Sequence, residues 1–152
     1  MKHVILIILI FSMIVVAPLR MAYPKTEYGN IRFMDINGDL ADEIIMKSKH
    51  SAGTGHYIED MRIFKDKYPG LELIFSVRTL DSYFGFEHTN NYDVVSEVQF
   101  TEANINDGTR SIIIKSRKIY YKDGENKVID KQEDLGTEIF KWDGKSFIRE
   151  KH

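Results

Sequence analysis

The nine residues Asp35, Ile36, Asn37, Gly38, Asp39, Leu40, Ala41, Asp42 and Glu43 set oxygen-bearing side chains at positions 1, 3, 5, 8 and 9 of one short stretch. Alternate residues of a tightly wound loop aim their side chains at one centre, and a hard cation such as calcium takes six to eight oxygen ligands at about 2.3–2.6 Å. Position 7 offers the backbone carbonyl of Ala41, and Gly38 allows the bend between ligands. Without a cation the same residues make a metal-free turn, with Asp35 and Asn37 accepting from backbone amides. Both readings stand at this stage. An EF-hand is not expected, because the loop runs into an apolar strand pattern over residues 43–48 where that motif needs a longer loop and an exiting helix.

Other chemistry-bearing groups are sparser. His50 and His56 sit in the glycine-rich stretch HSAGTGHY, but no Lys-Ser or Lys-Thr follows as a phosphate loop requires, and the spacing is no zinc motif. That stretch is expected to be a mobile connection between strands, and His88 and His152 have no ligand context. Tyr83, Phe84, Phe86 and His88, followed by Asn90, Asn91 and Tyr92, offer an aromatic platform for a sugar or peptide. Plain strand alternation explains them too, with Phe84 and Phe86 on one face and Tyr83 on the other. Trp142 and Phe147 flank a tight turn and are expected in the core or as cross-strand partners. The serine-hydrolase elbow, the zinc-protease helix and the dinucleotide glycine pattern are all missing.

The elements that must position these residues read as strands, since apolar runs of four to eight alternate with turn residues. Nine are expected, over residues 31–34, 43–48, 57–65, 71–77, 83–88, 94–100, 111–121, 138–142 and 146–149. Residues 57–66 also carry a weak helical pattern. Asn37-Gly38, Pro69-Gly70, Asp107-Gly108, Asp123-Gly124 and Asp143-Gly144 punctuate the series as hairpin turns.

The chain also repeats itself. Residues 35–49, DINGDLADEIIMKSK, echo in residues 104–117, NINDGTRSIIIKSR, with Asn37 matching Asn106. Each copy is followed by a strand containing Ile-Phe-Lys, a turn and a closing strand, RIFKDKYPGLELIF in the first and EIFKWDGKSFI in the second. Duplication accounts for the order of features, against a background in which isoleucine-rich strands are common.

At these residues the chain resembles the FG-GAP and VCBS repeat families, whose calcium loop D-x-[DN]-x-D-G-x-x-[DE] leads into a β-strand. The resemblance implies a β-propeller-like or blade-like fold and a calcium-stabilised binding or adhesive module rather than an enzyme. By position, its ligands are Asp35, Asn37 and Asp39 by side chain, Ala41 by carbonyl and Glu43 by carboxylate, with Asp42 outside the pattern. Leu40 replaces the family's glycine, which puts a β-carbon where the loop calls for positive φ. The second copy keeps only Asn104, Asn106 and Asp107, so at most one site is expected.

Length and composition set the frame. Of 152 residues, Lys2 and His3 precede an uncharged apolar run over residues 4–17, the layout of a secretory signal. The run is short for a membrane span, which needs about 20 apolar residues. Residues 1–22 are therefore read as a signal peptide or uncleaved anchor, residues 23–30 as a linker, and residues 31–152 as the folded part. The absence of cysteine excludes disulfides, thiolate metal sites and a cysteine nucleophile. A net charge of −2 from 21 basic and 23 acidic residues, intermixed along the chain, gives no field for nucleic acid or anionic membranes.

The fold expected is all-β: two related units of about four strands each, residues 31–80 and 94–150, propeller-blade-like or packed as sheets. The function expected is an exported, secreted or periplasmic, non-enzymatic binding module with one calcium loop and a protein or glycan partner. A metal-free structural or inhibitor-like protein and a hydrolase of unfamiliar site are the alternatives.

Overall fold

A computed structural model describes residues 31–85, 91–123 and 127–151. The expected signal segment and linker lie outside them, as do Phe86, His88, Asn90, Gly124 and His152.

The described residues form strands and no helix. These are β1 (Ile31–Met34), β2 (Glu43–Gly53), β3 (His56–Lys67), β4 (Gly70–Tyr83), β5 (Tyr92–Phe100), β6 (Ile112–Asp123), β7 (Val128–Trp142) and β8 (Phe147–Arg149). All eight join one antiparallel sheet in which spatial order follows sequence order. Alternation decides which face each strand buries. Glu43 and Ile45 of β2 turn inward while Ile44 and Met46 turn outward, and Met61 and Ile63 of β3 follow the same rule.

The sheet changes character at its middle. β4 meets β5 over four pairs only, from Leu80 with Val95 to Tyr83 with Tyr92. Beyond them the two strands part, and the first four strands oppose the last four across a core. Ile36, Ile45, Met61, Ile63, Ile74 and Phe75 meet Ile112, Ile114 and Phe147 there, with Val98, Phe100, Phe140 and Trp142 at its margin. Phe75 of β4 makes edge contacts with Phe140 of β7 at 5.0 Å and Phe147 of β8 at 6.0 Å between ring centroids, although neither strand is its sheet neighbour. Burying each such side chain stabilises the fold by roughly 1.5–3 kcal/mol, so this opposition supplies the main cohesive term.

The strand expected over residues 57–65 forms, and the weak helical pattern there does not, because Ile58, Met61 and Ile63 are buried beside neighbours on both sides of β3. Two sequence expectations change. The glycine-rich stretch is no free connection: β2 runs to Gly53 and β3 starts at His56, so only Thr54 and Gly55 form the turn. The strand expected at residues 83–88 is not formed in its described part. Tyr83 closes β4 and Phe84 leaves the ladder, its amide donating to the Gly55 carbonyl at 2.8 Å.

Candidate functional site

The acidic loop between β1 and β2 gathers Asp35, Asn37, Asp39 and Glu43, as their spacing predicts. What faces them is the chain's own N–H groups. Asp35 accepts from the Gly38 amide at 2.8 Å and the Leu40 amide at 3.1 Å. Asn37 accepts from the Asp39 amide at 2.9 Å, and Asp39 from the Ala41 amide at 3.0 Å. Glu43, only 1% exposed, accepts from the Ile36 amide at 2.9 Å and from the Asn37 side-chain amide at 2.5 Å. That same Asn37 nitrogen lies 3.3 Å from Asp39, whose carboxylate also takes a hydrogen bond from the Lys65 ammonium of β3. Ile36, fully buried, plugs the loop into the core. Ala41 and Asp42 are exposed.

The electrostatics follow from this geometry. Burial pushes the Glu43 carboxyl up, the Ile36 amide opposes that, and the charges of Asp39 and Asp35 add to the rise. The Lys65 hydrogen bond holds Asp39 below the usual carboxylate range, and Asp39 in turn raises Lys65. Calcium asks for converging oxygens, yet Asn37 presents nitrogen to Asp39 and Glu43. In this arrangement the donor set does not fit the ion. The fit would require Asn37 to turn its amide over and Lys65 to withdraw. Among the described residues, no three of His, Cys, Asp and Glu are grouped so as to hold a metal ion.

Leu40 takes φ +70° while 77% exposed, so the loop keeps the bend expected of glycine and strains a leucine to do so. A left-handed β-carbon costs roughly 1–2 kcal/mol, of which glycine's extra freedom in the open chain returns about half. Leu40→Gly is expected to raise the thermal midpoint by a few degrees, whereas Leu40→Ala, which keeps the β-carbon, leaves it unchanged. A fall with glycine would mean that Leu40 contributes contacts rather than strain.

Sequence reasoning missed what the loop rests on. The loop between β5 and β6 packs directly against it: the Arg110 amide donates to the Ile36 carbonyl at 2.9 Å, and its guanidinium reaches the carbonyls of Asp35 at 3.3 Å and Thr101 at 2.8 Å. Asn104 and Asp107 fold this second loop by the same side-chain-to-amide bonds, to Asn106 and Thr109. Gly38 and Gly108 meet where the loops touch. The repeat in the sequence was the available signal that these loops are comparable. Nothing in it showed that they touch.

A second constellation lies at the far end of the sheet. Strand register places His56, Tyr83, Tyr92, Tyr120 and Lys131 side by side across β3 to β7. Tyr83 stacks on Tyr92 with centroids 5.9 Å apart, and His56 meets Tyr83 edge-on. The Lys118 ammonium rests 4.2 Å from the centre of Tyr92 and 4.8 Å from that of Tyr120, and Lys131 lies 4.4 Å from Tyr120. His56 bonds Asp81 at 2.8 Å, and Glu133 takes Lys131 at 2.7 Å and the Tyr120 hydroxyl at 3.2 Å. The opposite face is buried, carrying Ser82, Asp93 and Ile119. There Tyr121 donates to Asp93 at 2.8 Å, and burial together with that carboxylate pushes the phenol up to about 12. Phe84 stands beside Tyr121, away from Tyr83, as alternation requires.

Comparison with known protein families, with curated proteins and with solved structures finds no match to this chain.

Proposed function

We propose that this chain is an exported, non-enzymatic binding module that meets its partner through the His56, Tyr83, Tyr92, Tyr120 and Lys131 row, with the acidic loop bracing the fold. The observation that carries the reading is the row itself. Three tyrosines held in register on a solvent-facing surface give large, rigid contact area at low entropic cost, and Tyr83 remains 37% exposed. The test is an array of glycans and peptides probed with the full chain and with Tyr83→Ala. Binding that falls at least about tenfold in the variant supports the proposal; an array on which nothing depends on Tyr83 removes it.

Two related units remain part of the reading. The offset that matches Asn37 with Asn106 also matches Glu43 with Ile112 and Ile45 with Ile114, all four buried. The paired loops then become equivalent parts of a duplicated unit, the first elaborated with carboxylates and the second without.

A second reading keeps calcium, through Asp35, Asn37, Asp39, the Ala41 carbonyl and Glu43. It is favoured by the charges of Asp39 and Asp35, which add to the burial that raises the Glu43 pKa and which a cation would relieve. For the brace, calcium at 5–10 mM after chelator treatment leaves the thermal midpoint unmoved. A rise of several degrees, as roughly 2–3 kcal/mol from a site with Kd near 10⁻⁴ M requires, and lost in Asp39→Ala, would establish calcium instead.

A further inference from the structure

The first four strands are apolar on both sides, and the core covers only one of them. Ile45 and Ile63 turn into the core, so Ile44 and Phe64 turn out. Register joins these two to Phe33 and Leu73 in one outward row across β1 to β4. Ile31 and Met46 pair on one side of that row, and Leu71 lies on the other, opposite Asp66. Phe33 and Met46 are 36% exposed, Leu73 52% and Leu71 54%. Arg62 and Asp66 flank Phe64 on β3 with one charge of each sign.

The outer side of the other half differs. Ile113 stands there between Gln99 and Ile139, with Glu97, Lys115 and Lys141 around them. That is the mixture expected of a sheet side left to water, whereas a strand apolar on both sides is expected to be covered on both.

We propose that the outer side of β1 to β4 lies on the surface of a lipid bilayer, beside the N-terminal apolar run retained as an anchor. This goes beyond the tyrosine-row reading and uses other residues.

Continuity points to lipid. Only residues 18–30 separate the uncharged run over residues 4–17 from Ile31, which itself belongs to the apolar face. They carry Arg20, Tyr23, Lys25 and Tyr28 against a single acid, Glu27, and cations and tyrosines favour the headgroup zone. The run is short for a span, so an anchor built on it gains from a second apolar contact.

Area argues against a second copy. Four strands and three rows of side chains cover roughly 400 Å², about half of what each partner gives to a stable dimer. Lipid sets no such threshold, because interfacial binding grows with each apolar group placed below the headgroups. Charge plays no part. A net −2 gives no pull towards anionic headgroups, so neutral lipid suffices and salt has no effect.

The chain has no cysteine, so one introduced thiol can carry a polarity-sensitive fluorophore at a chosen site of the full chain. With phosphatidylcholine vesicles, a label at Leu73→Cys, and separately at Met46→Cys, is expected to shift to the blue and to be quenched by spin-labelled lipid. A label at Ile148→Cys is the control. It is equally exposed at 52% but sits on the outer side of the other half, and it stays unshifted. Adding Leu71→Asp to the Met46-labelled chain raises the lipid needed for half the shift at least tenfold. Melting curves confirm that each variant is folded. A Leu73 label that stays in water while the chain sediments with vesicles overturns the proposal, since the run alone then holds the membrane; so does a chain that leaves the vesicles unbound. A label already blue without vesicles overturns it in favour of cover by the chain itself, or by a second copy where the shift depends on protein concentration. A shift that needs anionic lipid and fades with salt overturns the apolar contact.

Discussion

A Gly38→Ala protein is expected to melt roughly 10 °C below the native chain, a loss of about 3 kcal/mol or more. A β-carbon built on Gly38 falls 2.2 Å from the Asp107 carbonyl oxygen and 2.9 Å from the Thr109 amide nitrogen, both backbone atoms that no side-chain rotation clears. The backbone cannot step aside cheaply, because the Arg110 amide ties the second loop to the Ile36 carbonyl two residues before Gly38. A φ of +82° adds the left-handed penalty. Gly144→Ala is the control. It shares a positive φ, +98°, but its β-carbon meets nothing within 4 Å, so it should cost only about 1 kcal/mol. Equal losses in the two variants would show that the loops do not clamp each other.

Glu43→Ala should be nearly as damaging, at about 3 kcal/mol, because it opens a hole and leaves a buried N–H without an acceptor. The Ile36 amide and the Asn37 side chain both donate to that carboxylate from buried positions. Glu43→Gln keeps the size and one acceptor oxygen and should cost far less. It also separates charge from shape. The folded pKa of Glu43 lies above its ordinary 4.5, so the fold favours the protonated form. Its contribution is present in full below the ordinary value and is lost as pH rises through the raised one. Glu43→Gln has no such loss, so its midpoint should gain on the native protein as pH rises from the ordinary 4.5 through the raised value. A difference that stays constant across that window would mean that the carboxylate carries no buried-charge cost. Asp39 works in the other direction, because Lys65 lowers it. Its contribution is present above the ordinary value of 3.8 and is lost as pH falls through the depressed one.

Much of the sheet was legible in the sequence where strands bury one face. Ile45, Ile112 and Ile114 point into the core while Ile44 and Ile113 point away from it, and Asn37-Gly38, Asp107-Gly108 and Asp143-Gly144 mark turns that take positive φ at their glycines. Strands wet on both faces were not legible. The first half of β7 exposes Val128, Ile129 and Leu135 among charged residues, so no alternation betrays it; only its ladder to β6 makes it a strand. Ser51 and Gly53 read as loop for a similar reason, although β3 pairs with both. In the acidic loop, convergence of Asp35, Asn37, Asp39 and Glu43 followed from spacing, and the cost of Leu40 followed from its type. Lys65 and Arg110 did not, because they arrive from distant strands. The tyrosine row is likewise a product of register across four hairpin junctions, which short-range patterns do not encode.

The sequential order of the strands has a kinetic consequence. Each strand finds its partner in the stretch just before or after it, so hairpins close at small entropic cost and the ladder can zip forward along the chain. Contacts such as Ile36 with Arg110 and Phe75 with Phe140 and Phe147 break that rule. They bring together segments far apart in sequence and require most of the ladder to exist already. Closure of the first half onto the second is therefore the late event, and whatever disturbs the loop contact acts mainly on how fast the finished molecule comes apart. The touching glycines Gly38 and Gly108 thus act as a latch on the lifetime of the native state, while the rate of reaching it is set by the hairpins.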